Sequence, residues 1–229
     1  MEGRLFTFLG AIGGHSQEWI ILSHFILSIA IVFLLARAAT TKMQLVPTGM
    51  QNVLEAFING VIAMGADTMG EKNARRYLPL IGSLALVIFV SNMIGVIPGF
   101  EAPTSNINFT LSLALIVFIY YNYVGIKLNG FVNYFKHFMG PMPILAPLMF
   151  PIEIISHISR IISLSFRLFG SIRGDDMFLM VLLMLVPWLL PLPGFFLLTA
   201  FGVLQAFIFS ILTYVYIAGS VMMAEEDHH

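Results

Sequence analysis

The chain has 229 residues, 59% of them hydrophobic and only 10% charged, with a formal net charge of −1. A mean hydropathy of +0.92 excludes an ordinary soluble domain, and the near-zero charge carries no footprint for nucleic acid or acidic substrates. There is no cysteine, which excludes disulfides, thiolate metal sites and a cysteine nucleophile.

Several apolar runs of about 18 or more residues, at helical rather than alternating period, predict membrane-spanning helices and not a β-barrel. The first runs from Trp19 to Ala36; Glu2, Glu18 and Arg37 argue against a cleaved signal peptide there. Arg37 and Lys42 follow it, and Lys72, Arg75 and Arg76 close the next polar segment, so residues 37–76 are expected to be cytoplasmic and the N-terminus outside. Within that segment, Val53, Leu54, Phe57, Ile58, Val61 and Ile62 form one helical face, which predicts an amphipathic helix over Gln51 to Gly65 lying along the membrane surface. The second span, Tyr77 to Ile97, ends at Pro98-Gly99, and the loop after it holds Glu101 and no Lys or Arg. The third, Asn108 to Ile126, returns to Lys127 and Lys136; Asn106, Asn108 and Thr110 at its start are expected to cap it or to line water. His137, in the connection that follows, is expected to be solvated.

From Ile144 to Val186 nothing stronger than Gly170 and Gly174 interrupts a helix. About 40 helical residues measure about 60 Å, twice the hydrocarbon core of a bilayer. Phe195 to Met223 is over-long as well, at about 43 Å. The pattern predicts an all-α polytopic membrane protein: about five membrane-crossing helices plus a surface amphipathic helix, the last two forming a long, steeply inclined hairpin. The chain reads as a single membrane domain over 1–229, with a short external segment at 1–18 and a polar cytoplasmic tail at 224–229. A surface loop at Arg173 to Asp176 would make six crossings.

The long fourth run carries the chemistry. At 100° per residue, Glu153, His157, Arg160, Leu164, Arg167, Ser171 and Asp175 lie within about 40° of one line. Ionisable groups at membrane depth cost about 2.5–3.5 kcal/mol each on insertion scales, so the stripe must face protein, water or a partner. Arg167 is a permanent cation that can pair with a carboxylate, hold it ionised and block leakage of small cations; the plain alternative is an internal pair with Glu153 or Asp175. Arg160 with Glu153 and His157 is a local cluster in which a snorkelling arginine and an ion pair suffice, while Glu153 could also ease a cation or proton out. Glu153 and His157 alone make a weak metal signal, and no metal or cofactor is expected. Asp175 and Asp176 beside Arg173 either take a proton in transit or form a local pair. Gln205, beside Gly202 and Ala206, is an amide among small residues suited to close helix contact.

With SLSFRLFG at 163–170 and LQAFIFSILTYVYI at 204–217, in that order in the last third of the chain, the sequence resembles subunit a of the F-type ATP synthase membrane sector. The likeness extends to Glu153, SNMIGVIPGF (91–100) and PTSNINFTLSLAL (103–115). It implies a non-enzymatic stator subunit with two half-channels that load and unload protons on a ring of c subunits. Arg167 would face the ring carboxylates with Gln205 opposite it; Glu153 and Arg160 would lie on the cytoplasmic side and Asp176 in the inlet. Implied partners are the c ring, peripheral-stalk b subunits, the ATP-hydrolysing head and membrane lipid, in the plasma (inner) membrane of a bacterium with the C-terminus cytoplasmic. Ser171 departs from a common Asn, Arg173 adds a charge, and Leu198 stands where an ionisable partner of the inlet carboxylate is frequent. The rival readings are a secondary transporter with an intramembrane Arg–carboxylate site, which calls for inverted repeats that the sequence does not show, and a scaffold with internal ion pairs. Proton is preferred to sodium because no extra cluster of oxygen ligands accompanies Arg167.

Overall fold

In hydrocarbon every backbone N–H and C=O must be satisfied within its own segment, and each long apolar run here folds as helix. The computed structural model describes residues 17–41, 43–44, 46–47, 49–130, 134, 146–185 and 191–226. In chain order these form α1 (Gln17–Thr40), α2 (Met50–Met69), α3 (Glu71–Val96), a 3-10 turn (Pro103–Ser105), α4 (Ile107–Asn129), α5 (Ala146–Leu185) and α6 (Pro191–Glu226), with no strand among the described residues. Lys42, the connection holding Lys136, His137, Gly140, Pro141 and Pro143, the segment 1–16, the tail residues 227–229 and part of the expected Pro187–Gly194 break lie outside them.

Four stretches are long and apolar enough to cross a membrane: Trp19–Thr40, Glu71–Val96, Ile107–Asn129 and Leu192–Val221. The 40-residue α5 carries the charges that set it apart, and it packs against two of those four, α4 and α6. Arg173 to Asp176 lies inside this one continuous helix, so the six-crossing alternative, which needed a loop there, is wrong. The 30 residues of the apolar part of α6 measure about 45 Å, half as long again as a hydrocarbon core.

The core forms around α6, which touches α2, α3, α4 and α5. Phe209, Tyr214 and Ile217 of α6 meet Ile81 and Ile88 of α3, Val117 and Tyr121 of α4, and Leu164 and Leu168 of α5, all nearly or fully buried. One glycine, Gly70 at φ +80°, joins α2 to α3. The apolar face of α2 is turned into the protein: Val61 and Ile62 are buried and Phe57 packs 5.4 Å from both Phe89 and Phe207, ring centre to ring centre, whereas Val53 is exposed. Gly65 permits a close approach of α6, since a Cβ there would lie 2.6 Å from the Tyr214 ring. Asn106 caps α4 by accepting from the Asn108 N–H at 2.9 Å, the capping use of that polar triplet. Thr110 instead meets the Ser165 hydroxyl of α5 at 3.1 Å inside the bundle.

Candidate functional site

The polar stripe of α5 does not face one environment. Its first part turns into the bundle. His157 and Leu164 are buried, and Glu153 and Arg160 are half-buried. The His157 Nδ1 lies 2.5 Å from the Tyr121 hydroxyl of α4, and its Nε2 lies 3.4 Å from the Glu153 carboxylate one turn back. Arg160 does not form the ion pair that its spacing from Glu153 suggested; its guanidinium sits over the Tyr216 ring of α6 at 5.6 Å. An arginine over an aromatic face keeps its charge while its planar group packs. Tyr134 closes the cluster, donating to the Asn122 side chain at 2.7 Å, and burial pushes its hydroxyl above the usual phenol range. The metal alternative finds no third His, Cys, Asp or Glu beside Glu153 and His157 among the described residues.

Two turns beyond Arg160 the environment reverses. Arg167 is exposed, next to exposed Phe166 and one turn from exposed Gly170. It makes no hydrogen bond, ion pair or ring contact with any described residue. The internal pair with Glu153 or Asp175 is therefore not formed, and the reason is geometric: along one continuous helix they lie about 21 Å and about 12 Å of rise from Arg167. On α6, Phe201, Leu204, Ile208 and Ile211 are exposed at helical spacing and give that helix an apolar outer face. Gln205 lies beside them in sequence but is turned inward, with 5% of its surface exposed. No bond joins it to Arg167 among the described residues. Ser171, one turn past Arg167, is half-buried.

Toward the far end of α5, Asp175 and Asp176 line one small cleft with Asn92, Gly95, Ala102, Ile172, Leu198 and Gly202. Arg173 is exposed and forms no ion pair with either aspartate, so the local Arg–Asp pair is also not observed. Arg173, Glu101 and Asp175 all lie within electrostatic reach of Asp176. Leu198 lines the same cleft as Asp175 and Asp176, buried and unable to exchange a proton. The polar group that α3 brings there is Asn92, which donates to the Gly202 carbonyl at 3.0 Å and accepts from the Thr104 hydroxyl at 2.8 Å. Tyr121, Tyr216 and Asn92 were not singled out from sequence for a role. An amide within an apolar span was a usable signal for Asn92, whereas the two tyrosines are indistinguishable in sequence from the aromatic filler around them.

The described residues form a multi-pass α-helical membrane protein in which Arg167 is exposed between the group at Glu153 to Arg160 and the pair Asp175 and Asp176. Comparison with known proteins places it more narrowly. The model of the ATP synthase A chain family matches residues 20–218. The chain is 87% identical over 228 residues to ATP synthase subunit a of Aliarcobacter butzleri, covering 100% of both chains. It is 59% identical over 227 residues to the subunit of the same name from Nitratiruptor, covering 99% of this chain and 100% of that one. To that of Helicobacter hepaticus it is 58% identical over 226 residues, with the same coverage. The chain belongs to the ATP synthase A chain family.

Proposed function

We propose that this chain is the proton-conducting stator subunit of a bacterial F-type ATP synthase, working with a ring of c subunits in the plasma membrane. The observation that carries the reading is Arg167: a permanent cation on an exposed, otherwise apolar helix surface, with no counter-charge among the described residues of its own chain. Such a charge is tolerable at membrane depth only where a partner or water meets it. The carboxylates of a passing ring supply that partner.

The mechanism follows from the three regions of α5. A proton from outside enters the cleft of Asp176, Asp175 and Asn92 and neutralises a ring carboxylate, which then turns into lipid. After nearly a full turn the carboxylate reaches the cytoplasmic side, where Glu153 takes its proton toward water through its one-third exposed side chain. Arg167 stands between the two paths. It keeps the carboxylate passing it ionised, because pairing stabilises only the charged form, and it repels a proton seeking a direct route. Ser171 stands at the same crossing as a hydrogen-bonding group, Gln205 backs it from the inner side of α6, and Arg160 adds positive charge beside the exit. The N-terminus is outside and the C-terminus cytoplasmic, with b subunits and the head attached on the cytoplasmic side. One charge crossing 100 mV releases about 2.3 kcal/mol, so several must be collected per ATP, which a rotor with many sites does. The sequence has no phosphate-cradling loop, and the ATP chemistry belongs to the head.

ATP-driven acidification of inverted vesicles carrying Arg167→Ala tests this, with assembly followed by retention of the subunit in the purified complex. Pumping is lost with the complex intact. Pumping at the wild-type rate would remove the assigned role, and loss of the complex would make Arg167 a structural residue.

A further inference from the structure

Resting on the assignment of Arg167 to the ring crossing, we propose that the buried hydroxyl pair of Thr110 and Ser165 fixes the rotation of α5 about its own axis. Ser165 is then a positioning residue that keeps the Arg167 guanidinium turned out of the bundle.

Hydrophobicity does not choose that rotation. Ile154, Ile155, Ile158, Ile162 and Phe166 are exposed on α5 while Leu164, Leu168 and Ile172 are buried, so the helix is apolar on its outer and inner faces alike. In a bilayer both faces meet apolar surroundings, and no hydrophobic force drives one helix onto another; close packing and interhelical hydrogen bonds decide instead. The margin is narrow. Arg167 lies about 60° around the helix from buried Leu164, so a turn of that size would carry the guanidinium to the buried face.

The hydroxyls supply the bond that resists such a turn. The Ser165 Oγ lies 3.1 Å from the Thr110 Oγ1 of α4, and the two residues are 1% and 0% exposed. The pairing holds whichever hydroxyl donates. A serine inside a helix commonly donates back to its own backbone, as Ser28, Ser112 and Ser210 do at 2.7–2.8 Å. Ser165 makes no such bond among the described residues and turns its hydroxyl to α4. Thr110 also reaches the Ile107 carbonyl of its own helix at 3.1 Å, which anchors its side chain. About 12 Å earlier on α5, the His157 Nδ1 meets the Tyr121 hydroxyl of the same α4 at 2.5 Å. Polar bonds thus tie α5 to α4 at both places, and Ser165 is the nearer to Arg167.

With the guanidinium turned in, a ring carboxylate passes without its counter-charge, and a proton crosses between the two paths without turning the ring. The measurable consequence is ATP hydrolysed without protons accumulated. The experiment compares initial acidification with ATP hydrolysis in inverted vesicles holding the intact complex. A variant that merely assembles poorly lowers both rates together and leaves their ratio unmoved.

For Ser165→Ala the uncoupled share of hydrolysis rises about threefold, the population change that an average interhelical hydrogen bond in a membrane corresponds to. Thr110→Val gives the same rise, and the double variant gives no more than either single one, because both remove one bond. Thr110→Ser, which keeps the hydroxyl, stays with the wild type. A wild-type ratio in Ser165→Ala with the complex assembled would overturn the proposal, as would a double variant in which the two effects add. Should Ser165→Ala fail to assemble, Thr110→Val against Thr110→Ser decides, and equal ratios for those two overturn it. Arg167→Ala pumping at the wild-type rate would instead remove the assignment on which the proposal rests.

Discussion

Between Glu153 and Arg160, α5 ties its ionisable side chains to Tyr121, Tyr216 and one another; at Arg167, two turns on, the same helix leaves a guanidinium exposed with no bond to any described residue. Both stretches lie on one stripe of the helical wheel, so the difference is made by the neighbours. α4 and α6 supply Tyr121 and Tyr216 to the first stretch, and no described residue of either bonds to Arg167 in the second. A membrane protein satisfies its charges internally where it can. At Arg167 the proposed function brings a partner from outside the chain.

The largest effect should come from the bare side of that comparison. Arg167→Ala is expected to lower ATP-driven pumping by about 100-fold or more with the complex assembled, an electrostatic loss at the reacting group. Arg167→Lys should be impaired as well, since a compact ammonium lacks the planar two-pronged reach; pumping near wild type in the Lys variant would show that charge alone suffices. Asp176→Asn should come next, at up to about 100-fold, the low end for a lost proton-transfer group. Asp175→Asn should cost less and the double variant more than either, read from the same acidification assay. Gly65→Ala moves the test to packing: its Cβ would strike the Tyr214 ring, so the complex should lose thermal resistance in detergent, by about 1–3 kcal/mol, with little change in the initial pumping rate. Smallest is Tyr216→Leu, which removes the ring under Arg160 and should cost about 0.5–1 kcal/mol of stability while pumping persists. If that variant instead abolished transport, the partnered stretch would be as directly engaged as the bare one.

Much of the fold was legible because the hydrocarbon core imposes length. The run from Ile144 to Val186 became a helix over Ala146–Leu185, and the over-long last run became Pro191–Glu226. The helix at residues 50–69 was also legible, but not the extent to which its apolar face packs against α3 and α6, because a face suited to a lipid surface is equally suited to a protein groove. Helical spacing correctly gathered Glu153, His157 and Arg160, yet it led to an ion pair for Arg160 where the structure has a tyrosine ring. Spacing along one helix contains no information about what another helix brings. The same limit hid Asn92, whose meeting with Asp175, Asp176 and Leu198 depends on how α3 packs against α5 and α6.

The central claim is that the counter-charge of Arg167 belongs to another subunit. Because the chain has no cysteine, Phe166→Cys gives a single thiol beside that arginine, and oxidative cross-linking in the intact complex to a cysteine placed next to the lipid-facing carboxylate of the c subunit tests the claim most directly. A cross-link formed in high yield is the expected result. Its absence, with the complex assembled and the thiol reactive only toward lipid-phase reagents, would contradict the account.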